Sequence, residues 1–444
     1  LAGLAMRESV GINDEGRLVF RKRKSYRIFE PFVDHPDPDL LSYDYEIRHK
    51  YLNNPEEVEA DTEFRSLKDS YDRLGYPLPG RPAYLVHSFE QKFGEDFINI
   101  NETLNLMLLK LAPSVVSLCS FIDDKRLFTC SGIVIESTNG CAVILTSASL
   151  VATTNGESAR AVSENVKIFV HFTDGPAYEA SVIGCCLHYN VAFVRVHKHH
   201  KDVLSLLCLQ GERMESMPEA VFALGRHYVS QEFMVASGES VFQRNNFDCV
   251  ELMFSSCKIT KCGIGGPLVN SKGYVVGVNF FNTDDTPYLP SLLVRRCWDH
   301  IKTYGSVVHL HFGWRIRPVI QMNAELLYNL CKSFEFAFDC LLVEEVASSS
   351  PAYRSGIRNG DIAVELFGEP AVATPVPTYA EILLEKSNLL LEKENVQVQV
   401  KILRKSTHSQ IDSKYLTIDA TKLSSRDFYR WPLPQAEWEI KPSD

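Results

Sequence analysis

From Val115 to Val196 the chain repeats one pattern: a short apolar run, a turn former, then another apolar run. Val115–Leu118, Gly132–Ile135, Cys141–Thr146, Val166–Val170 and Val191–Val196 are short and rich in β-branched residues. Runs of this kind, with turn signals every ~8–12 residues, predict the strands of an all-β barrel or sandwich. Just before them, Leu104–Leu111 predicts a short helix stopped by Ala112-Pro113. Near the C-terminal end, Thr378–Leu391 predicts a helix with Ala380, Leu383 and Leu384 on its apolar side. Val396–Leu403 follows with a period of two, turning Val396, Val398, Val400 and Ile402 inward along a strand.

Between these regions lies Cys262-Gly263-Ile264-Gly265-Gly266-Pro267-Leu268-Val269, with Gly273–Val278 behind it. Two glycines before Pro-Leu predict a tight turn where backbone can approach a ligand or a reacting carbonyl. The apolar run after the turn reads as a strand, folded back at Ser271-Lys272-Gly273 as a hairpin.

The N-terminal hundred residues are different in character. From Glu30 to Asp96 the sequence holds 16 Asp/Glu against 7 Lys/Arg. One helix is expected there, opened by Pro55 and closed by Gly75, with Phe64, Leu67, Tyr71 and Leu74 on one face. No catalytic pattern occurs in this acidic extension, which reads as an accessory segment. Arg21-Lys22-Arg23-Lys24 forms a basic run that fits either a nuclear localisation signal or a solvated face.

Composition narrows the classes. Of the 444 residues, 45% are hydrophobic and 23% charged, which is ordinary for globular protein. A formal net charge of −10 argues against nucleic acid as the main partner. No apolar run approaches the ~20 residues that span a bilayer, so no membrane association is expected. The twelve cysteines all fall between Cys119 and Cys340, several in apolar contexts and without paired CxxC spacing. They read as free core thiols in a reducing compartment. The expected localisation is intracellular, in cytoplasm or nucleus, with an organelle left open. His197-Lys198-His199-His200-Lys201 has no acid or cysteine at ligand spacing and reads as a solvated basic turn. No metal or cofactor is expected.

The turn at 262–269 resembles the nucleophile loop of trypsin-like serine proteases of the HtrA/Do-like branch. Two further stretches carry that resemblance in the same order: the helix ending in Ala112-Pro113-Ser114-Val115-Val116, and Ser131-Gly132-Ile133-Val134. It covers about 104–405 and includes the helix Ser291–Tyr304 as the link to the next module. In that module, Phe312-Gly313-Trp314-Arg315-Ile316, Ser350-Pro351-Ala352 and Gly360-Asp361-Ile362 look like an HtrA-type PDZ domain. The implied fold is mainly β: a trypsin-like double barrel followed by a PDZ domain, with a partly helical N-terminal extension. The implied segments are 1–100, the acidic extension; 101–305, the protease-fold domain; 306–405, the PDZ domain; and 406–444, a tail.

The resemblance also locates the catalytic positions, and here the chain departs from the family. Acyl transfer requires a hydroxyl nucleophile, an imidazole base and a carboxylate that orients it. The matching positions hold Ile264, Ser149 and Asn190. Ile264 has no lone pair, Ser149 is no base near neutral pH, and Asn190 carries no charge. Cys262 is the one nucleophile on the turn, and His188 lies two residues before Asn190, so a relocated Cys262–His188 dyad is the alternative to test. Gly263, Gly265 and Gly266 remain as an oxyanion-loop remnant whose amides are expected to face a bound carbonyl. In the PDZ-like module, the family places carboxylate capture and strand pairing at Phe312, Gly313, Trp314, Arg315 and Ile316.

The reading that follows is a degenerate, pseudoprotease HtrA/Do-like protein of the kind found in plants. It binds polypeptides or protein C-termini as scaffold, chaperone-like binder or regulator, alone or in homo- or hetero-oligomers with HtrA-like subunits. The alternatives are an active serine-type endopeptidase and a purely architectural subunit.

Overall fold

A computed structural model describes residues 10–12, 18–20 and 92–93, and most of 102–423. Within that last span it leaves out 123–124, 139, 156–158, 163–164, 174–175, 198–218, 242–248, 283–284, 323–326, 329–339, 372–376 and 406–410. The helix expected between Pro55 and Gly75, the basic run Arg21–Lys24 and the tail beyond Leu423 lie outside the described residues.

Helix α1 (Glu102–Leu111) leads through Ala112-Pro113 into the first of two closed six-stranded barrels. Its strands are β1 (Val115–Ile122), β2 (Lys125–Thr138), β3 (Cys141–Ser147), β4 (Lys167–His171), β5 (Tyr178–Cys186) and β6 (Val191–Val196). They close in the order β6-β3-β2-β1-β4-β5, all antiparallel. Closure leaves no unpaired edge, and inward residues such as Leu118, Ile144, Val170 and Ala192 fill the interior. The second barrel uses β7 (Ala220–Arg226), β8 (Phe233–Val241), β9 (Met253–Ser255), β10 (Pro267–Asn270), β11 (Val275–Asn279) and β12 (Thr286–Pro290). It closes as β7-β8-β9-β12-β11-β10. The hairpin read at Ser271-Lys272-Gly273 is the β10–β11 turn, held by Asn270 Oδ1 accepting from the Lys272 and Tyr274 amides at 3.1 and 3.0 Å.

Helix α2 (Ser291–Tyr304) then packs across both barrels and the sheet beyond. Gly305 ends it in a left-handed conformation, φ 74°, with its amide bonded to the Ile301 carbonyl. Trp298 stacks on Phe193 of the first barrel, ring centres 4.8 Å apart, and its Nε1 donates to Glu136 at 3.0 Å. Ring stacking of this kind adds about 0.5–1.5 kcal/mol beyond burial.

The third body is a curled seven-stranded sheet. Its path runs β13 (Leu310–His311), β19 (Ile411–Lys422), β18 (Asn395–Lys405), β16 (Ile362–Leu366), β15 (Leu341–Val346) and β14 (Trp314–Pro318), with β17 (Glu369–Pro370) beside β16. Short helix α3 (Pro351–Arg354) and helix α4 (Thr378–Lys386) cover it. Val396, Val398, Val400 and Ile402 are buried as their alternation predicts. The expected boundary at 405 is corrected: β19 pairs with β18 along its whole length, from Lys405–Ile411 to Asn395–Thr421. Ion pairs brace the sheet. Arg317 and Glu344 meet in the buried interior at 2.5 Å, and Arg404 grips Asp361 with two 2.6 Å bonds.

Among the described residues the ten cysteines are free thiols, most of them buried. No helix there is long and apolar enough to cross a membrane.

Candidate functional site

The strand β3 ends in a 3-10 turn, Ala148–Leu150, which is capped by Ser147 Oγ accepting from the Ser149 amide at 3.1 Å. Opposite it, the turn before β6 sets Asn190 at φ 54°, a left-handed conformation that asparagine tolerates better than most residues. The Asn190 carbonyl accepts from the Ala148 amide at 3.1 Å. These two turns bring Ser149 and Asn190 together. Asn190 Nδ2 donates to Ser149 Oγ at 3.1 Å, and Ser149 Oγ lies 3.3 Å from Asn190 Oδ1. The pair is neutral on both sides, and neither group takes a proton near neutral pH.

Ile264 closes the space between the barrels. Its half-buried side chain packs against two clusters, the interior of the first barrel and the continuous core around α2. Its carbonyl accepts from the Ser131 amide at 2.8 Å. Ser131 had entered only as part of a motif, yet it joins the barrels: its Oγ donates to the Cys262 carbonyl at 2.6 Å and accepts from the Arg226 amide at 2.9 Å.

The turn itself is sealed. The Gly263 amide donates to Thr260 O at 3.0 Å, Ile264 to Lys261 O at 3.1 Å, Gly265 to Asn279 O at 2.8 Å and Gly266 to Gly263 O at 3.1 Å. An oxyanion hole needs amides aimed at the developing charge, with acceptors absent until substrate arrives. The expectation that Gly263, Gly265 and Gly266 offer amides to a carbonyl is therefore corrected. Glycine is required here for packing: a Cβ on Gly265, at φ 77°, would stand 2.5 Å from Ser131 O, and one on Gly266 would strike Leu224 O.

The candidate dyad does not assemble. Cys262 is fully buried inside the second barrel, its Sγ 2.9 Å from Thr260 Oγ1 and 3.9 Å from Met234 Sδ. His188 faces the third sheet, where it stacks on His309 with ring centres 4.1 Å apart. Of the basic turn 197–201, only His197 is described, with Nδ1 3.3 Å from Cys141 Sγ.

A cavity of about 80 Å³ opens where that histidine stack meets the sheet. Phe312, Gly313, Trp314 and Ile316 form one wall, and Leu383 and Leu384 of α4 form another. Among the described residues β14 ends the sheet, and no strand pairs with its outer edge. Gly313 sits at φ 71°, and a Cβ there would strike Ser350 Cβ. The Phe312 and Gly313 carbonyls accept from Ala352 and Ala347 at 2.9 and 2.8 Å, which fixes the loop. Among the described residues the amides of Phe312 and Gly313 donate to no acceptor. Arg315, expected on the pairing edge, lies 3.6 Å from Glu345 of β15.

Thiol environments differ between the barrels and this junction. Burial pushes Cys130 and Cys185 up to about 12, as expected for inert core cysteines. Cys186 is the exception. Burial alone would raise it, but a hydrogen bond from Cys297 and the His309 imidazole, 3.1 Å from its Sγ, hold it well below the ordinary thiol range.

Residues 130–278 match the trypsin-like peptidase domain model. The chain is 27% identical over 303 residues to serine protease HTRA3 of Rattus norvegicus, covering 64% of this chain and 62% of that protein. Putative protease Do-like 14 of Arabidopsis thaliana is 26% identical over 362 residues, covering 79% of this chain and 77% of its own length. Among solved structures, an HtrA-type protease AlgW with tripeptide covers 72% of this chain and 97% of its own, at TM-score 0.51 and 17% identity, a likeness of fold. The similarities are thus to a trypsin-like peptidase domain over one stretch of the chain and, at 26–27% identity, to HTRA3 and Do-like serine proteases.

Proposed function

We propose that this chain is a catalytically inactive HtrA/Do-like protein whose task is to bind polypeptides, and that the third sheet is a PDZ domain that receives their C-termini. One observation carries the reading: of Ser149, Asn190 and Ile264, the residues that the sequence motifs match to the family's base, orienter and nucleophile, none has the side chain its role needs. The first two are bonded to each other and the third packs between the barrels. Hydrolysis of an acyl bond there lacks both an attacking oxygen at 264 and a proton acceptor beside it. The sealed amides of 263–266 remove the third requirement, stabilisation of the tetrahedral oxyanion.

The groove has what the cleft lacks. An unpaired strand edge at Trp314–Pro318 suits addition of an extended peptide, and the two loop amides without acceptors suit a terminal carboxylate. The apolar wall of Ile316, Leu383 and Leu384 suits an aliphatic last side chain. Alone or in an assembly with HtrA-like subunits, this chain contributes capture and no cleavage.

The test is labelling of the full chain with a fluorophosphonate and incubation with unfolded casein. The expected result is neither label nor cleavage. Label that disappears in Ser149→Ala overturns the inactive reading in favour of the endopeptidase.

A further inference from the structure

Strand β5 and helix α2 meet along one line of contact, and two cysteines lie on it. A Cβ added to Gly184 of β5 would stand 3.0 Å from Cγ2 of Ile301 on α2, so the missing side chain is what lets helix and strand approach. Cys186 lies two residues beyond Gly184 and shares its face of the strand. Cys297 lies one helical turn before Ile301 and shares its buried face of the helix. The two steps are nearly equal, about 6.6 Å along a strand and about 6 Å along a helix. Cys186 is therefore set over Cys297 as Gly184 is set over Ile301. The two sulfurs are hydrogen-bonded, Cys297 donating to Cys186. Cys185, next in the chain, faces the other way and packs on the interior of the first barrel.

Cys186 Sγ also lies 3.1 Å from His309 Nε2 and accepts from the Tyr189 amide. Burial opposes a charge on this sulfur, but the Cys297 bond, His309 and the Tyr189 amide outweigh it and hold Cys186 well below the ordinary thiol range. Burial and the same bond push Cys297 well above that range. One sulfur is thus set as an attacking thiolate beside a second that keeps its proton. Cys186 retains 3% exposure and Cys297 none, so a small oxidant meets Cys186 first.

We infer that Cys186 and Cys297 form a redox latch, in which a hydroperoxide oxidises Cys186 and Cys297 resolves it into a disulfide that ties the first barrel to α2. In the first step the Cys186 thiolate attacks one peroxide oxygen. The O–O bond breaks, Cys186 becomes a sulfenic acid, and the departing oxyanion takes a proton from water. In the second step the Cys297 sulfur attacks the Cys186 sulfur. The S–S bond forms, the S–O bond breaks, and the hydroxyl leaves as water with the Cys297 proton. Two electrons have passed from the sulfurs to the peroxide, and a dithiol returns both thiols by exchange. Cys297 lies 111 residues beyond Cys186, and the second barrel, Ala220 to Pro290, lies wholly between them. The disulfide closes a loop around that barrel and so restricts the unfolded chain.

The experiment is a peptide map of the full chain, reduced, freed of reductant, treated with hydrogen peroxide while folded, then denatured and alkylated. The expected result is one tryptic pair, 168–195 joined to 297–302, at about tenfold the yield of any other link and lost on treatment with dithiothreitol. Fragmentation of the joined peptides is expected to place the bond on Cys186, and Cys185→Ser is expected to leave its yield unchanged. The oxidised chain is expected to melt about 5 °C above the reduced one, a difference that Cys297→Ala abolishes. Cys186 and Cys297 recovered unlinked, at a peroxide dose that oxidises the urea-unfolded chain, overturns the latch. A bond on Cys185 in place of Cys186 overturns it too, as does a joined chain that melts no higher than the reduced one. If a variant does not fold, the fragment map and melting shift of the wild type still decide.

Discussion

The cleft between the barrels and the groove beside Gly313 are made from similar parts and end in opposite states. Each has a glycine turn in a left-handed conformation, at Gly265 and at Gly313. In the cleft every amide from 263 to 266 has a carbonyl partner, an isoleucine fills the space between the cores, and the two polar side chains bond to each other. In the groove, among the described residues, two amides have no acceptor and the adjoining strand edge has no partner, and a cavity remains with aromatic rings at its end. A satisfied backbone is stable and inert, and an unsatisfied one beside a cavity is where a ligand gains free energy. A glycine turn can thus be kept for packing alone, its amides spent on neighbouring carbonyls.

The comparison breaks most visibly if chemistry is recovered in the cleft. Ile264→Ser alone is expected to give no hydrolysis, because Ser149 and Asn190 supply no base. The triple change Ser149→His, Asn190→Asp, Ile264→Ser supplies base, orienter and nucleophile but leaves the amides of the turn bonded. It is therefore expected to fall short of an active relative by about 10²–10³ in rate, the usual cost of an oxyanion donor. Casein turnover at the relative's own rate contradicts the sealed turn.

Arg317→Ala removes the ion partner of buried Glu344 and is expected to destabilise the sheet by about 3–5 kcal/mol. Joint replacement by Met and Leu is expected to recover most of that loss in a denaturant titration. In the cleft, Gly266→Ala drives a methyl into the Leu224 carbonyl and is expected to cost about 1–3 kcal/mol through overpacking alone. An unchanged melting midpoint for Gly266→Ala means the glycine is not there for packing.

The smallest effect belongs to the groove wall. Leu383 lines the cavity and is half-buried, so Leu383→Asn is expected to weaken peptide binding by about tenfold, roughly 1–2 kcal/mol of lost apolar contact, while the fold persists. It is a cleaner probe than Gly313→Val, whose new side chain strikes Ser350 and disturbs the loop itself.

Much of the architecture was legible in the chain. Short β-branched runs between turn formers become the barrel strands, and Ser291–Tyr304 forms the linking helix at its expected bounds. The period of two at Val396–Ile402 is the buried face of β18. Its partner β19 was missed because it is polar: Ile418 and Ala420 are its buried residues, and Asp412, Lys414, Tyr415 and Asp419 mask the strand signal. In the cleft the residue types were legible, since no packing turns Ile264 into a nucleophile. Amide direction was not, because hydrogen bonds such as Gly265 to Asn279 depend on how the β10–β11 hairpin folds back. His188 was legible as a residue near Asn190 and illegible in direction. Its partner His309 lies 121 residues away in the chain and meets it only once α2 has docked.

The central claim is that the molecule captures polypeptide ends and does not cut them. The most direct measurement is anisotropy of a fluorescent peptide with a free C-terminal valine, titrated with the full chain and followed by mass analysis of the recovered peptide. The account predicts saturable binding, competition by unlabelled acid but not by amide, and a peptide recovered intact. Cleaved peptide, or competition equally strong by acid and amide, contradicts it.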